Sequence, residues 1–322
     1  MDIFFSAFEF TLSLVLRLGS VMFVSLFGVE VLMQMGLMQY LKPVGRPVAK
    51  AAGLPAESAV SFLAAVGSMI AAHTLAARFH DQGRLSDREL RLTGVLNTMP
   101  FHVKETLTFQ LPVVLPLLGP RLALIYLAAF WLTGILKLVY AIFMGRLNPS
   151  VATGPDAFDE MACQPDDPDC ARPGFPRVLF LAWNARKKMF FRMTGLLACV
   201  TFMIQVLVEA GLLARVEQWV GPLTSLLGLP PAVAGPVAAY VFSPTIGITY
   251  MANLITQGSI SPYHAITALM AGGMVMIPVT RLRRTLPRYM AIFGAVNGAR
   301  ICWITMVLAI LSRMIVLAWI LI

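Results

Sequence analysis

Residues 17–135 reappear without a gap as residues 192–310, so any fold for this chain has to accommodate one pattern twice. Gly53-Leu54-Pro55 returns as Gly228-Leu229-Pro230, and 228 minus 53 sets an offset of 175 residues. The same offset pairs Arg17 with Arg192, Gly36-Leu37 with Gly211-Leu212, Pro47 with Pro222, Ser68 with Ser243 and Thr74 with Thr249. It continues through Gln82-Gly83 with Gln257-Gly258, Ser86 with Ser261, Leu111-Pro112 with Leu286-Pro287, and Gly119 with Gly294. Many of the retained residues are Gly and Pro, which fix turns and breaks, so the copies are expected to share a backbone path more than a surface. In membrane proteins, paired repeats with broken helices enclose a pathway for a solute.

Composition points to the bilayer. A hydrophobic fraction of 58% with 13% charged residues lies far outside soluble composition. Apolar runs that approach or exceed the roughly 20 residues needed to cross hydrocarbon lie near 12–38, 58–77, 122–144, 195–213, 233–254 and 290–310. Weaker stretches fall within 90–118 and 262–279. The expectation is an all-α, polytopic membrane protein of about eight to ten helical segments, some short, with no room for a soluble domain. The opening Met1-Asp2-Ile3-Phe4-Phe5 has no basic region and no small-residue cleavage site, and reads as the start of a first helix rather than a removed signal.

Three parts are expected: a first repeat over 1–147, a polar linker over 148–177 and a second repeat over 178–322. Over residues 148–174, Asp156, Asp159, Glu160, Asp166, Asp167 and Asp169 outnumber Arg172, while the whole chain carries a net +9. The positive charge therefore sits at helix ends, where it suits anionic membrane lipids; nucleic acid is not an expected partner. Acidity and the pair Cys163 and Cys170 favour an exterior linker, whereas Arg186-Lys187-Lys188, with Arg177 and Arg192, favours the cytoplasm. Lys and Arg orient better than acids, which tips the expectation toward an interior linker with reduced thiols. Two cysteines fall short of a metal site, and Cys199 and Cys302, in apolar helices, are expected in the core.

Each copy shows the same order of parts. After a long first helix comes a short amphipathic piece with Pro47 or Pro222, then the Gly-Leu-Pro turn, then a helix with a polar notch. The first notch is Ser68-Met69-Ile70-Ala71-Ala72-His73-Thr74; its counterpart, Ser243-Pro244-Thr245-Ile246-Gly247-Ile248-Thr249, reads as a broken helix because Pro244 removes a backbone bond. A break at mid-membrane exposes amides and carbonyls that lipid cannot satisfy, so it faces protein or a water-filled cavity. The competing reading is a kink that serves close packing of small residues.

A second constellation belongs to the first copy: Asn97, Thr98, His102, Lys104 and Glu105, followed by Thr108 and Gln110. Its counterpart around Gly272-Gly273 is nearly all apolar, which suggests one recognition half and one pathway half. Lys104 and Glu105 must pair, snorkel or meet water, since a charge at a helix centre costs roughly 2.5–3.5 kcal/mol even on forgiving scales. Solvation at an interface near Pro100 is the plainer alternative to a binding role. Arg17, Glu30, Lys137, Arg192, Glu209 and Arg300 read singly as structural braces, with Glu30 matched to Gln205 by the offset. Arg281, Arg283, Arg284 and Arg288 read as a headgroup anchor, with the mouth of an anion path as the alternative.

Phe27-Gly28-Val29-Glu30-Val31-Leu32, the proline-containing amphipathic piece, and Gly53-Leu54-Pro55 before a small-residue helix resemble the bacterial nucleoside-recognition, or Gate, domain membrane proteins. That domain type occurs in spore-maturation membrane proteins and is related to parts of concentrative nucleoside transporters and ferrous-iron permeases. The resemblance implies two Gate-type repeats, with inverted topology as one arrangement, and transport or gating as the activity. No phosphate-binding Gly-rich loop with Lys and Ser or Thr accompanies it, so iron import is not expected.

The leading expectation is a multi-pass transporter or permease subunit of the cell's inner (plasma) membrane, for a small polar solute such as a nucleoside-like molecule. Its site is expected at Ser68, His73, Thr74, Asn97, Thr98, His102, Lys104, Glu105, Ser243, Thr245 and Thr249, with no cofactor or metal and with H+ or Na+ as coupling ion. A homo-oligomer or a second Gate-type membrane protein is the expected protein partner. The alternative is a structural or signalling subunit that transports nothing, marked by a dry repeat interface. An enzyme is not expected, because no nucleophile elbow, zinc helix motif or metal-binding carboxylate pair accompanies His102, Lys104 and Glu105.

Overall fold

The computed structural model describes residues 2–34, 45–147, 175–209 and 228–322. The described residues are helical throughout, with no strands among them. Nearly all of the linker, with Cys163 and Cys170, lies outside them, as do the side chains of Arg17, Glu30, Arg192 and Gln205.

Among the described residues, three helical segments are long and apolar enough to cross a membrane: Asp87–Leu147, Pro262–Phe293 and Ala295–Leu321. The apolar helices Ala56–Gly67 and Pro231–Val241 are shorter. A backbone break explains both. Ala56–Gly67 (α3) ends at Ser68, and Met69–Asp81 (α4) begins beyond it, with Ser68 extended at φ −144° and ψ 118°. Ala234–Phe242 (α9) ends at Ser243, and Pro244–Thr256 (α10) follows, with Ser243 at φ −149° and ψ 110°. At 12 residues α3 is about 18 Å long, well short of a 30 Å hydrocarbon core. The two starts are built differently: the Ser68 hydroxyl accepts from the Ala71 amide at 3.3 Å, whereas Pro244 opens α10 with no amide hydrogen to satisfy. The first notch is therefore as broken as the second, although it lacks a proline.

Other irregularities recur at the same spacing. Gly53, Gly83 and Gly119 have positive φ, and so do Gly228, Gly258 and Gly294, each 175 residues on. Gly119 (φ 75°, ψ 166°) divides the first long helical segment, and Gly294 (φ 80°, ψ 164°) separates the other two; side chains rarely tolerate this backbone. Widened π-helical turns begin at Thr106 and at Arg281, again one offset apart. The repeated prolines Pro112 and Pro287 account for them. A proline offers no donor to the carbonyl four residues back, and the register loosens so that Leu115 N–H bonds the Gln110 carbonyl and Leu286 N–H the Arg281 carbonyl, each five back.

The helices Asp2–Gln34 (α1) and Phe175–Glu209 (α8) pack along each other. Phe4 meets Phe202 at 6.4 Å between ring centroids, whereas Phe27 stacks on Trp183 at 5.2 Å, so the start of each helix lies against the end of the other and the pair runs antiparallel. Cys302 is buried as expected, but Cys199 is exposed: it sits on a face of α8 that no other described helix covers. The largest apolar cluster joins the two ends of the sequence, with Tyr126 and Val113 from the first half among Tyr240, Ile248 and Leu269 from the second.

Candidate functional site

The two breaks open onto one cavity of about 310 Å³, lined by Met69, immediately after Ser68, and by Pro244, immediately after Ser243. Five pairs of positions one offset apart contribute to it: Met69 and Pro244, Phe101 and Met276, His102 and Ile277, Glu105 and Thr280, Gln110 and Thr285. The π turns help to bring this about. In an α-helix, residues five apart point roughly 140° away from each other; a turn closed five residues back brings them toward one face. Glu105 with Gln110, and Thr280 with Thr285, can therefore line the same space.

Three of the expected site residues line the cavity, Thr98, His102 and Glu105, and Gln110 of the same constellation joins them. His102 is buried, its Nδ1 lies 3.1 Å from the Thr98 carbonyl, and its ring packs 4.6 Å from that of Phe130. Gly134 makes room for it: a Cβ there would sit 3.2 Å from the imidazole.

The others take different positions. Asn97 donates to Ser61 Oγ at 2.7 Å, and Ser61 donates to the Ala72 carbonyl at 2.8 Å, so Asn97 braces the first break from behind. His73 is buried with its ring 5.0 Å from Tyr289 and 5.1 Å from Phe293, in packing rather than at the cavity wall. Exposed Thr74 donates to the Ile70 carbonyl at 3.0 Å. Thr249 is buried, and its carbonyl accepts from Asn253, which also donates to Thr201 Oγ1 at 3.1 Å and so ties α10 to α8. Ser68 is the exposed cap of α4; Ser243, Thr245 and Lys104 are half-buried and stand outside the lining.

The wall also holds residues that sequence reasoning assigned elsewhere. Lys137, read as a brace, lines the cavity at 2% exposure, and Arg281 and Arg288, read as headgroup anchors, line it too; Arg283 and Arg284 are exposed and do not. Arg313, which sequence reasoning passed over, is buried there. Lys137 and Arg313 were each visible as a lone cation in an apolar run, the pattern that marks function inside membranes, whereas Arg281 and Arg288 belong to a basic cluster. The lining holds these four basic side chains against one carboxylate, Glu105. None of the four has a carboxylate within 4.0 Å among the described residues.

Hydroxyl pairs join the halves around the cavity: Tyr126 with Tyr240 at 2.7 Å, and Thr133 with Ser312 at 2.6 Å. Among the described residues no group of three or more His, Cys, Asp or Glu side chains could hold a metal ion.

Among the described residues, fold and site together define a helical protein with three helices suited to crossing a membrane and a cavity rich in basic side chains at two helix breaks. The chain is similar along most of its length to the uncharacterized protein MJ0871 of Methanocaldococcus jannaschii, 21% identical over 303 residues that cover 94% of this chain and 92% of that one. It is likewise similar to the uncharacterized protein MJ0880 of the same organism, 21% identical over 267 residues, covering 82% and 84%. No family model and no solved structure matches the chain.

Proposed function

We propose that this chain is an integral membrane transporter or permease subunit for a small polar solute, bound between two related halves. The observation that carries the reading is the cavity itself: the helix breaks and five offset-related pairs of positions contribute to a single space whose wall sets charged and hydroxyl groups among apolar ones. Two halves meeting at interrupted helices, with irregular backbone facing a cavity rather than lipid, is the arrangement through which secondary transporters bind solutes. A subunit that transports nothing would hold its halves together by dry packing alone; here the apolar cluster that joins them is interrupted by a cavity with charged and hydroxyl groups in its wall.

The halves are Gate-type repeats over 1–147 and 178–322, joined by the acidic linker and related by inverted topology. The antiparallel pairing of α1 with α8 supports that relation, because helices equivalent under a two-fold axis in the membrane plane run in opposite directions. The protein is multi-pass in the cell's inner membrane, alone or as an oligomer, and carries its solute with H+ or Na+ without chemical change.

The test is reconstitution of the purified protein in liposomes with a panel of labelled nucleosides, small organic anions, divalent metals and fluorescent lipids, with and without ion gradients. Saturable uptake of one class supports the reading; uptake of none, with protein correctly folded and inserted, replaces it with the partner-subunit alternative.

A further inference from the structure

We infer that the cavity binds a small oxyanion of the carboxylate or phosphate type, held by Lys137, Arg281 and Arg313 with exposed Arg288 contributing. This inference rests on the reading of the cavity as the solute site. The three arginines alone outnumber the single carboxylate, Glu105, so the empty wall carries a net positive charge without any contribution from Lys137. Arg281 and Arg313, both from the second half, converge on Lys137 from the first. Like charges lining a cleft with low-dielectric walls focus a positive potential, which an anion relieves and a neutral solute does not.

The site is also built. Arg313 is buried, its Nη1 donates to the Ala309 carbonyl at 3.1 Å, and the Tyr240 hydroxyl lies beside it. Gly273 makes room for the guanidinium, since a Cβ there would come within 2.8 Å of Nε. Gln110 is buried at the cavity wall and its Oε1 has no partner among the described residues, leaving an amide free to present either end to a ligand or water. Guanidinium groups match planar oxyanions with paired hydrogen bonds, and a lysine adds a point charge. A volume of about 310 Å³ suits a small ligand.

Such an oxyanion can be a dissolved ion or the phosphate of a lipid headgroup, and binding to the full-length protein in an uncharged, phosphate-free maltoside detergent separates the two. Thermal stability is titrated with inorganic phosphate and with succinate, with sodium chloride at matched ionic strength and uridine as controls; phosphatidylglycerol is added in a second arm. The expected result is saturable stabilisation by phosphate or succinate and none by uridine. Stabilisation by phosphatidylglycerol that abolishes the anion response identifies a headgroup as the source.

Lys137→Met and Arg288→Gln are each expected to weaken binding about tenfold or more. If Lys137→Met does not elute as a monodisperse protein, Arg288→Gln, at an exposed position, carries the comparison. The inference is overturned if neither phosphate, succinate nor phosphatidylglycerol acts saturably, or if both variants bind as the parent does. Because binding is read without flux, the two readings fail separately: an anion that binds but never crosses liposomes sinks transport alone, and uptake of a neutral solute without anion binding sinks the anion site alone.

Discussion

Glu105 and Thr280 stand 175 residues apart in the sequence and line the same cavity, each immediately before a π-helical turn. One polar group comes from each half, and the same local device delivers both. A repeated Leu-Pro pair loosens the helix, and the widened turn aligns Glu105 with Gln110 and Thr280 with Thr285. The cavity thus depends on how the backbone is interrupted as much as on the side chains it shows.

Pro112→Ala restores the missing amide hydrogen and allows an ordinary α-helical register, which turns Gln110 off the cavity face. The protein is expected to stay folded, because a helix gains a hydrogen bond, while solute uptake into liposomes falls by about tenfold. Unchanged uptake would separate the π turn from the site.

Gly273→Ala places a methyl group against Arg313 Nε and pushes the guanidinium out of its seat. Overpacking of this kind costs about 1–3 kcal/mol in stability, and solute affinity is expected to drop about tenfold. Gly67→Ala, where a Cβ would meet nothing within 4 Å, serves as the control and should leave affinity unchanged.

Arg84 holds the buried Glu57 carboxylate through Nη2 at 2.8 Å and Nε at 3.0 Å. The second half has Ala232 and Ser259 at these positions, so the pair braces the first half alone. Arg84→Met leaves a buried charge without its partner, and a loss of about 1–3 kcal/mol is expected once the one-third exposure of Arg84 is allowed for. Adding Glu57→Gln should recover much of that loss in thermal unfolding in detergent.

Asn297 joins the halves at one end of the cavity-bearing helices: its Nδ2 donates to Asp87 Oδ1 at 2.6 Å, and its Oδ1 accepts from Arg91 Nη1 at 3.0 Å. Asn297→Ala removes both bonds and is expected to lower stability by about 1 kcal/mol, seen as a lower melting temperature, with solute affinity unchanged.

Much of the backbone was legible in the sequence because Gly and Pro act locally. The offset of Gly53, Gly83 and Gly119 marked the positive-φ positions, and Pro244 marked the second break. The first break was legible only through its partner, since Ser68 carries no local compulsion comparable to Pro244. Site residues were harder, because lining a cavity is a tertiary property. Asn97 and His102 lie five residues apart, yet one braces a break and the other faces the void. Lys137 and Arg313 announced themselves as isolated cations in apolar runs, but their convergence with Arg281 requires helices from both halves to pack.

The most direct test places single cysteines at Glu105 and at Thr280, with a third at buried His73, in a background whose 4 native cysteines are replaced by alanine. The protein is reconstituted in liposomes and treated with a membrane-impermeant anionic thiol reagent. Positions 105 and 280 are expected to label, solute to protect both, and position 73 to stay unmodified. Failure of 105 and 280 to label from either side of the membrane, with folded protein, would contradict a shared water-filled site between the halves.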